Sequence, residues 1–279
     1  DRWSANPPEF LTDVREGIRM VRKKIGDRVP RRRLWFSILA AVALCGAAVG
    51  GLVGYRALSD SDDPDRAVTV DEASRLAASR LTLYQASPVA VALTAAEGGG
   101  VTIRVEAVVD YRTRRAVGGY QVTGAAGQLD RGLIVWDGAG LGLAPVPAGV
   151  DGPAWQQAEH IPRQGWSSRA YTADPLDSGL RLLIQLGADR PDNPLLLAQS
   201  GARWLGHDRI QDRKYDRFSG PRAQDATDGK LSPLTYWVDG DGTLRRATMR
   251  MPGLGTPTTV EIAGRDDKAR MPEAPWIAG

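Results

Sequence analysis

The sequence predicts an α+β domain, in which helices lie in the concave face of a curved antiparallel sheet, preceded by a single transmembrane helix. Three observations predict this fold class. Residues 34–55 form an apolar segment without a charge, residues 101–111 alternate apolar and polar side chains, and a leucine-rich stretch follows Pro175. The first pattern is typical of a membrane helix, the second of a half-buried strand and the third of a buried helix.

The composition excludes several classes of protein. Of the 279 residues, 42% are hydrophobic and 25% are charged, which is close to the globular average and argues against a disordered, collagen-like or coiled-coil chain. Cys45 is the single cysteine, so the chain has no intramolecular disulfide and no zinc site built from several thiolates. Because the chain opens on Asp1 rather than Met, we expect it to be part of a longer protein.

The formal net charge of +3 conceals an asymmetry along the chain. Residues 1–33 hold ten Lys and Arg against five Asp and Glu, whereas the rest of the chain holds 26 against 28. Basic flanks of a membrane helix stay in the cytoplasm. We therefore expect a cytoplasmic segment at 1–33, a helix across the inner (plasma) membrane at 34–55, an acidic linker at 56–67 and an extracellular domain at 68–279.

The apolar segment 34–55 is long enough to be an uncleaved signal anchor. Its 22 residues, at about 1.5 Å each, span roughly 33 Å, which covers the hydrocarbon core of a bilayer. Gly46, Gly50 and Gly54 repeat every four residues along one face of this helix. Such small residues allow two membrane helices to pack closely, so they either form a homodimer contact or reflect the usual glycine content of membrane helices.

The cytoplasmic segment 1–33 carries a basic amphipathic helix. Apolar side chains recur every three or four residues from Leu11 to Ile25, which indicates one helical stripe. Five basic residues lie beside or opposite this stripe: Arg15, Arg19, Arg22, Lys23 and Lys24. They either contact the anionic inner leaflet, dock a cytoplasmic protein or only set the topology. The basic run is too short and too poor in aromatic residues to indicate binding to nucleic acid.

The outer domain begins with a helix. Thr69 and Glu72 form the sequence pattern of a capping box, which satisfies backbone N–H groups at a helix start. Ser87-Pro88 then ends the helix, because the residue before a proline is disfavoured in helical conformation. The sequence therefore predicts a helix over about 69–86.

From residue 89 onward the pattern changes to strands and glycine-rich turns. In 101–111, Ile103, Val105 and Val109 share one face and polar side chains share the other, which indicates a strand with one buried face. Further strands are predicted at 117–123, 131–137, 202–210, 214–218, 234–239, 243–250 and 257–263. The sequence DGDG at 239–242 predicts the turn of one hairpin.

Two apolar helices interrupt the strands. Asp174-Pro175 begins the first, and the second follows Pro194 with the sequence LLLAQ. Both are more apolar than an exposed helix, so we expect them in the concave face of the sheet. Their side chains either fill the core or line a cavity for an apolar ligand. The candidates for cavity lining are Ile103, Val105, Val109, Leu180, Leu183 and Ile184.

The hairpin YWVDGDGTLRR at 236–246, together with helix 69–86, the antiparallel strands and the leucine-rich helices, resembles the half-barrel shared by the LolA lipoprotein carrier and the mycobacterial LppX and LprG lipoproteins. The resemblance covers roughly residues 68–263 in layout. It implies an actinobacterial extracytoplasmic domain with a hydrophobic cavity that sometimes carries a lipid. Those proteins are soluble or lipid-anchored, whereas a membrane helix tethers this chain, which favours an anchored sensor, receptor or adaptor over a shuttle.

The sequence carries no motif of an enzyme or a cofactor site. We find no GxSxG elbow, HExxH, P-loop or dinucleotide fingerprint. His207 and Asp208 are adjacent on a predicted strand and therefore point to opposite faces, so they are not expected to form an acid–base pair. Asp239-x-Asp241 resembles the start of a calcium loop, but Arg250 occupies the twelfth position, where an EF-hand has Glu. We expect no enzymatic activity, no cofactor and no metal.

Two functions follow from these patterns. In the first, the outer domain binds a lipid or another envelope ligand. In the second, the protein is a bitopic adaptor or signalling protein whose segment 1–33 recruits a cytoplasmic partner, such as a contractile injection system or a sigma-factor regulator. The tryptophans of the outer domain either fill its core or contact glycans or lipids.

Overall fold

The computed structural model describes residues 65–276, except positions 125, 128, 222–231 and 274. The predicted cytoplasmic segment, the predicted membrane helix and most of the linker lie outside these residues. Within the described part, no helix has the length and apolar character needed to cross a membrane.

Twelve strands and four α-helices are formed by the described residues. The strands are β1 (Arg66–Ala67), β2 (Val89–Gly98), β3 (Val101–Asp110), β4 (Arg115–Thr123), β5 (Leu129–Trp136), β6 (Gly140–Ala144), β7 (Ser167–Ala170), β8 (Arg203–Ile210), β9 (Arg213–Ser219), β10 (Leu234–Val238), β11 (Leu244–Met249) and β12 (Thr258–Arg265). The helices are α1 (Val70–Ala86), α2 (Ala154–Glu159), α3 (Pro175–Gln185) and α4 (Pro194–Gln199), with a single 3₁₀ turn at Arg163–Gly165.

The strands form one open antiparallel sheet in the order β1-β8-β9-β10-β11-β12-β2-β3-β4-β5-β6-β7. Strands β2 to β7 follow one another as neighbours in one half, and β8 to β12 do so in the other half. The pairing of β12 with β2 joins the two halves. The predicted α+β class with a large antiparallel sheet is confirmed, and the sheet fits a half-barrel.

One face of the sheet carries the main core, and we call it the inner face. α3 packs against β2, β3 and β12, α1 packs against β10 and β11, and α4 packs against α1. Among the largest fully buried side chains of this core are Trp136, Phe218, Leu93, Leu180 and Leu183. Burial of these apolar side chains, at about 1.5–3 kcal/mol each, is what holds the helices onto the sheet.

The opposite face, which we call the outer face, is covered over β4 to β6 by α2 and the end of the chain. A second apolar cluster forms there from Val117, Leu133, Val135, Ala158 and Trp166. Neither α2 nor strands β6 and β7 are among the predicted elements. Over β8 to β11 the outer face carries polar and basic side chains together with Trp237.

α1 begins with the capping box that the sequence predicts. The Glu72 amide donates to the Thr69 hydroxyl at 3.3 Å, and the Thr69 amide donates to the Glu72 carboxylate at 2.8 Å. Arg66 also binds both oxygens of that carboxylate, at 2.8 Å each. The hydrogen bonds and the charge of Arg66 outweigh burial and lower the pKa of Glu72. This ion pair ties the edge strand β1 to the start of α1.

α4 is less buried than its sequence predicts. Leu197 is 8% exposed and belongs to the main core, but Leu195 is 58% exposed and Leu196 is 40% exposed. A helix of six residues at the edge of the fold buries one side only. The two preceding leucines are consequently left on the surface.

Candidate ligand-binding groove

A groove of about 390 Å³ opens on the outer face of the sheet. It lies where strands β8 to β11 meet the start of the described chain. Its lining consists of Asp65, Leu205, Arg217, Thr235, Trp237, Thr248, Arg250 and Pro257.

The antiparallel register explains why these side chains share one face. Thr235 of β10 is paired with Thr248 of β11, and Trp237 of β10 is paired with Arg217 of β9. Residues paired across antiparallel strands point to the same side of the sheet. Tyr236, which lies between Thr235 and Trp237, packs against the main core on the inner face. The alternation of β10 thus directs a hydroxyl and an indole into the groove.

Arg217 supplies the most distinctive donor of the groove. One terminal nitrogen of its guanidinium donates to the Leu205 carbonyl at 2.7 Å. Its Nε is buried and makes no hydrogen bond with any described residue. Because buried N–H groups in proteins nearly always have an acceptor, this Nε is available to an oxygen of a ligand. The guanidinium is held in place by one partner and retains a donor on the groove side.

Trp237 forms a wall of the groove and is 8% exposed. Its indole N–H donates to the Asp208 carboxylate at 3.0 Å, and the guanidinium of Arg246 lies 5.6 Å from the ring centroid. The hydrogen bond from Trp237, followed by the Asp208 backbone contact to Arg209 and the charges of Arg217 and Arg246, lowers the pKa of Asp208. The indole is therefore fixed between an anionic acceptor and a cation.

The electrostatic character of the groove is basic. Arg217 and Arg250 contribute positive charge to the lining, and Thr235 and Thr248 contribute hydroxyl groups. Asp65 is the acidic residue of the lining, and its carboxylate is bound by Arg203 at 2.5 Å. Guanidinium and hydroxyl donors around a small cleft suit an oxyanion, such as a phosphate or a carboxylate.

The six side chains predicted as candidates for cavity lining meet on the inner face. Val105, Val109, Leu180 and Leu183 are fully buried, Ile184 is 6% exposed, and Ile103 is partly buried against them. They pack as parts of the main core, and none of the six lines the groove.

The other predicted site residues lie outside the described part of the chain. They are Gly46, Gly50 and Gly54 for helix packing, and Arg15, Arg19, Arg22, Lys23 and Lys24 for inner-leaflet or partner contact. Their roles remain predictions from the sequence.

His207 and Asp208 face opposite sides of β8, as expected for adjacent strand residues. Asp208 accepts from Trp237 on the outer face, whereas His207 Nδ1 lies 2.7 Å from Asp216 on β9. The Asp216 carboxylate is also bound by Trp204 Nε1 at 3.0 Å and by Arg75 of α1 at 2.6 Å. This cluster joins α1 to β8 and β9, and sequence reasoning did not find it because none of these contacts is local.

The turn at 239–242 connects β10 and β11 as predicted. The Asp239 carboxylate accepts from the backbone N–H groups of Asp241 and Thr243, at 3.0 and 2.8 Å. Gly242 has a φ of +79°, a conformation that favours glycine. Asp239 therefore acts as the side-chain cap of a turn.

A polar cluster on the other half of the sheet fixes the start of α3. The Glu97 carboxylate at the end of β2 accepts from the Leu176 amide at 2.9 Å. Burial, followed by the nearby charge of Asp174, raises the pKa of Glu97 to about 7. Asp177 is fully buried and is bound by Arg169 at 2.5 and 2.9 Å. The cluster serves the attachment of α3 to the sheet.

Comparison with known proteins leaves the chain without an assigned family. No family model matches it, and no curated protein matches it. A solved structure titled as an uncharacterized conserved protein from Thermus thermophilus is 6% identical, with a TM-score of 0.31, and the match covers 66% of this chain and 81% of that one. A likeness at this level carries no functional argument.

Proposed function

We propose that this protein is a single-pass envelope protein of the plasma membrane, without enzymatic activity, whose outer domain has a LolA-like fold and binds an anionic lipid headgroup. The observation that carries the proposal is the buried Nε of Arg217, which has no acceptor among the described residues. It lies in a groove that Arg250, Thr235 and Thr248 also line. Charge-assisted hydrogen bonds from a guanidinium to a phosphate or carboxylate are among the strongest in proteins.

The position of the groove along the chain supports a ligand at the membrane. Asp65 lines the groove, and the predicted membrane helix ends at Tyr55. The ten residue steps between them reach at most about 36 Å when fully extended. The groove is then within reach of the headgroups of the outer leaflet.

The packing of the inner face favours the outer face as the binding site. Leu180 and Leu183 of α3 are fully buried against β2 and β3, where Val105 is also fully buried. A lipid chain at these positions would require α3 to move away from the sheet. A headgroup in the outer groove requires no displacement of the core.

The proposal is tested by titrating the full chain in detergent with dihexanoyl phosphatidylglycerol and, separately, with dihexanoyl phosphatidylcholine. We expect the anionic lipid to bind more tightly, and Arg217→Gln to weaken its binding at least tenfold, since one charged hydrogen-bonding group contributes about 1.5–3 kcal/mol. The matched control is Arg104→Gln, at an exposed position of β3 away from the groove. Equal affinity of the wild-type chain and Arg217→Gln would overturn the proposal.

A second candidate is the adaptor function, which the basic amphipathic pattern of segment 1–33 favours. In this proposal the five basic residues between Arg15 and Lys24 contact a cytoplasmic protein. Replacing all five with Gln should then abolish co-purification of that partner and leave ligand binding by the outer domain unchanged. Retention of the partner by the five-fold variant would remove this candidate.

A further inference from the structure

α4 presents two adjacent leucines to solvent. Among the described residues, Leu195 is the most exposed large apolar side chain, at 58%, and Leu196 is 40% exposed. Leu197 anchors the helix in the main core. Neighbouring exposed leucines on an anchored helix are typical of a surface that docks another apolar phase.

The chemistry of the segment around α4 suits a lipid surface. Residues 193–202 contain no charged side chain. The Asn193 side chain accepts from the backbone N–H groups of Leu195 and Leu196, at 2.9 and 3.4 Å. Charges and unpaired N–H groups are costly in an apolar medium, and this segment brings neither to the two exposed leucines.

The chain path places α4 at the edge of the domain where the described chain begins. Before α4, the Asp192 amide donates to the Ala77 carbonyl of α1 at 3.1 Å. After α4, Arg203 pairs with Ala67 of the edge strand β1. α4 therefore lies beside the first half of α1 and close to β1. The predicted membrane helix ends at Tyr55, which leaves only a short connection between the bilayer and this edge.

We propose that Leu195 and Leu196 insert into the outer leaflet of the membrane in which the chain is anchored. This docking orients the domain with its β1 edge toward the bilayer and brings the groove at Asp65 beside the headgroups. The inference deepens the proposed function and rests on it, because it takes the membrane anchor as given. The occupant of the leucine surface is the lipid bilayer, not a second copy of the chain.

The depth of a spin label in vesicles tests this docking. Cys45→Ser removes the single natural cysteine, after which Leu195→Cys provides one labelling position. The matched control is Val146→Cys, at an apolar residue that is 38% exposed and follows β6 in the other half of the sheet. Each full-length variant is labelled with a nitroxide and reconstituted into vesicles of phosphatidylglycerol and phosphatidylcholine.

We expect the label at 195 to collide several-fold more often with oxygen, which concentrates in the bilayer, than with a water-soluble nickel chelate. The label at 146 should show the opposite preference. Equal access of both labels to the nickel chelate would overturn the inference. Dipolar broadening between labels at 195, with protection from both reagents, would identify a second copy as the occupant and would also overturn it.

Extraction with alkaline carbonate separates this result from the membrane anchor. Release of the chain by carbonate would overturn the anchor. A chain that resists extraction but exposes the label at 195 to water would overturn only the leucine docking. A label that lies in the bilayer while the chain is extracted would support the docking and overturn the anchor.

Discussion

Arg169 binds both carboxylate oxygens of Asp177, at 2.5 and 2.9 Å, although the Asp177 side chain is fully buried. The pair connects the edge strand β7 to the first turn of α3. The Thr172 amide and hydroxyl also donate to the same carboxylate, at 2.6 and 2.8 Å. A buried charge is tolerated only when its hydrogen-bonding capacity is met, and these contacts meet it.

Asp177→Asn should therefore destabilise the domain by about 3 kcal/mol, because it leaves Arg169 and the surrounding donors without their anionic partner. Urea unfolding followed by tryptophan fluorescence measures the change. Asp267→Asn, at a residue whose side chain is 75% exposed in a surface ion pair, is the matched control and should change stability by less than about 1 kcal/mol. Equal stability of the wild-type chain and Asp177→Asn would contradict the structural role of the pair.

Glu97 makes stability depend on pH. Burial and the neighbouring Asp174 and Asp177 raise its pKa from 4.5 to about 7, against which the Leu176 amide and Arg169 act. Between these two values the folded state holds a proton that the unfolded state has released. The contribution of Glu97 is thus fully present below about pH 4.5 and is lost as the pH rises through about 7.

Glu97→Gln keeps an oxygen that accepts from the Leu176 amide and cannot ionise. We expect the variant to gain stability relative to wild type as the pH rises from 4.5 to 7, by up to about 3 kcal/mol. Urea unfolding at several pH values measures this difference, with Glu106→Gln on the exposed side of β3 as the control. A constant difference between Glu97→Gln and wild type over this range would contradict the assignment.

Sequence patterns predict the elements whose signals are local. Thr69 and Glu72 mark the start of α1, and Ser87-Pro88 marks its end, because each signal acts within one turn of the chain. β3 is predicted by its alternation, and the β10–β11 turn by its glycines. β6 carries no such signal, since its sequence GLGLA contains two glycines. Gly142 of this strand is needed because Val135 and Trp166 approach it to 3.2 and 3.6 Å from its Cβ position.

The groove depends on pairings that no local pattern specifies. The alternation of 234–239 predicts that Thr235 and Trp237 share a face, and the structure confirms this. The partner of Trp237 across the sheet is Arg217, which lies twenty residues earlier in the chain. That neighbour follows from the β9–β10 register, which is set by burial of Phe218 and Tyr236 on the inner face.

Gly179 allows α3 to approach the sheet closely. A Cβ at this position would lie 2.7 Å from Leu93 Cδ1 and 2.8 Å from Thr258 Cγ2. Gly179→Ala should destabilise the domain by about 1–2 kcal/mol, because overpacking outweighs the gain of about 1 kcal/mol in helix propensity. Thermal unfolding measures the change. Gly240→Ala, where a Cβ meets nothing within 4 Å, is the control, and a stabilised Gly179→Ala would show that α3 can shift at no cost.

Asp216 holds α1 against β8 and β9 from a position that is 8% exposed. Its carboxylate is bound by Arg75, His207 and Trp204, at 2.6, 2.7 and 3.0 Å. Asp216→Asn removes the negative charge that Arg75 contacts and should cost about 2–4 kcal/mol of unfolding free energy.

The effect of Asp216→Asn should be local as well as global. Since Arg75 lies on α1, amide hydrogen exchange should accelerate in the first half of α1 more than in α3, which packs on the other half of the sheet. Arg75→Gln in the Asp216→Asn background should add little further loss, because the two changes remove the same contact. Full additivity of the two substitutions would show that Asp216 stabilises the fold without Arg75.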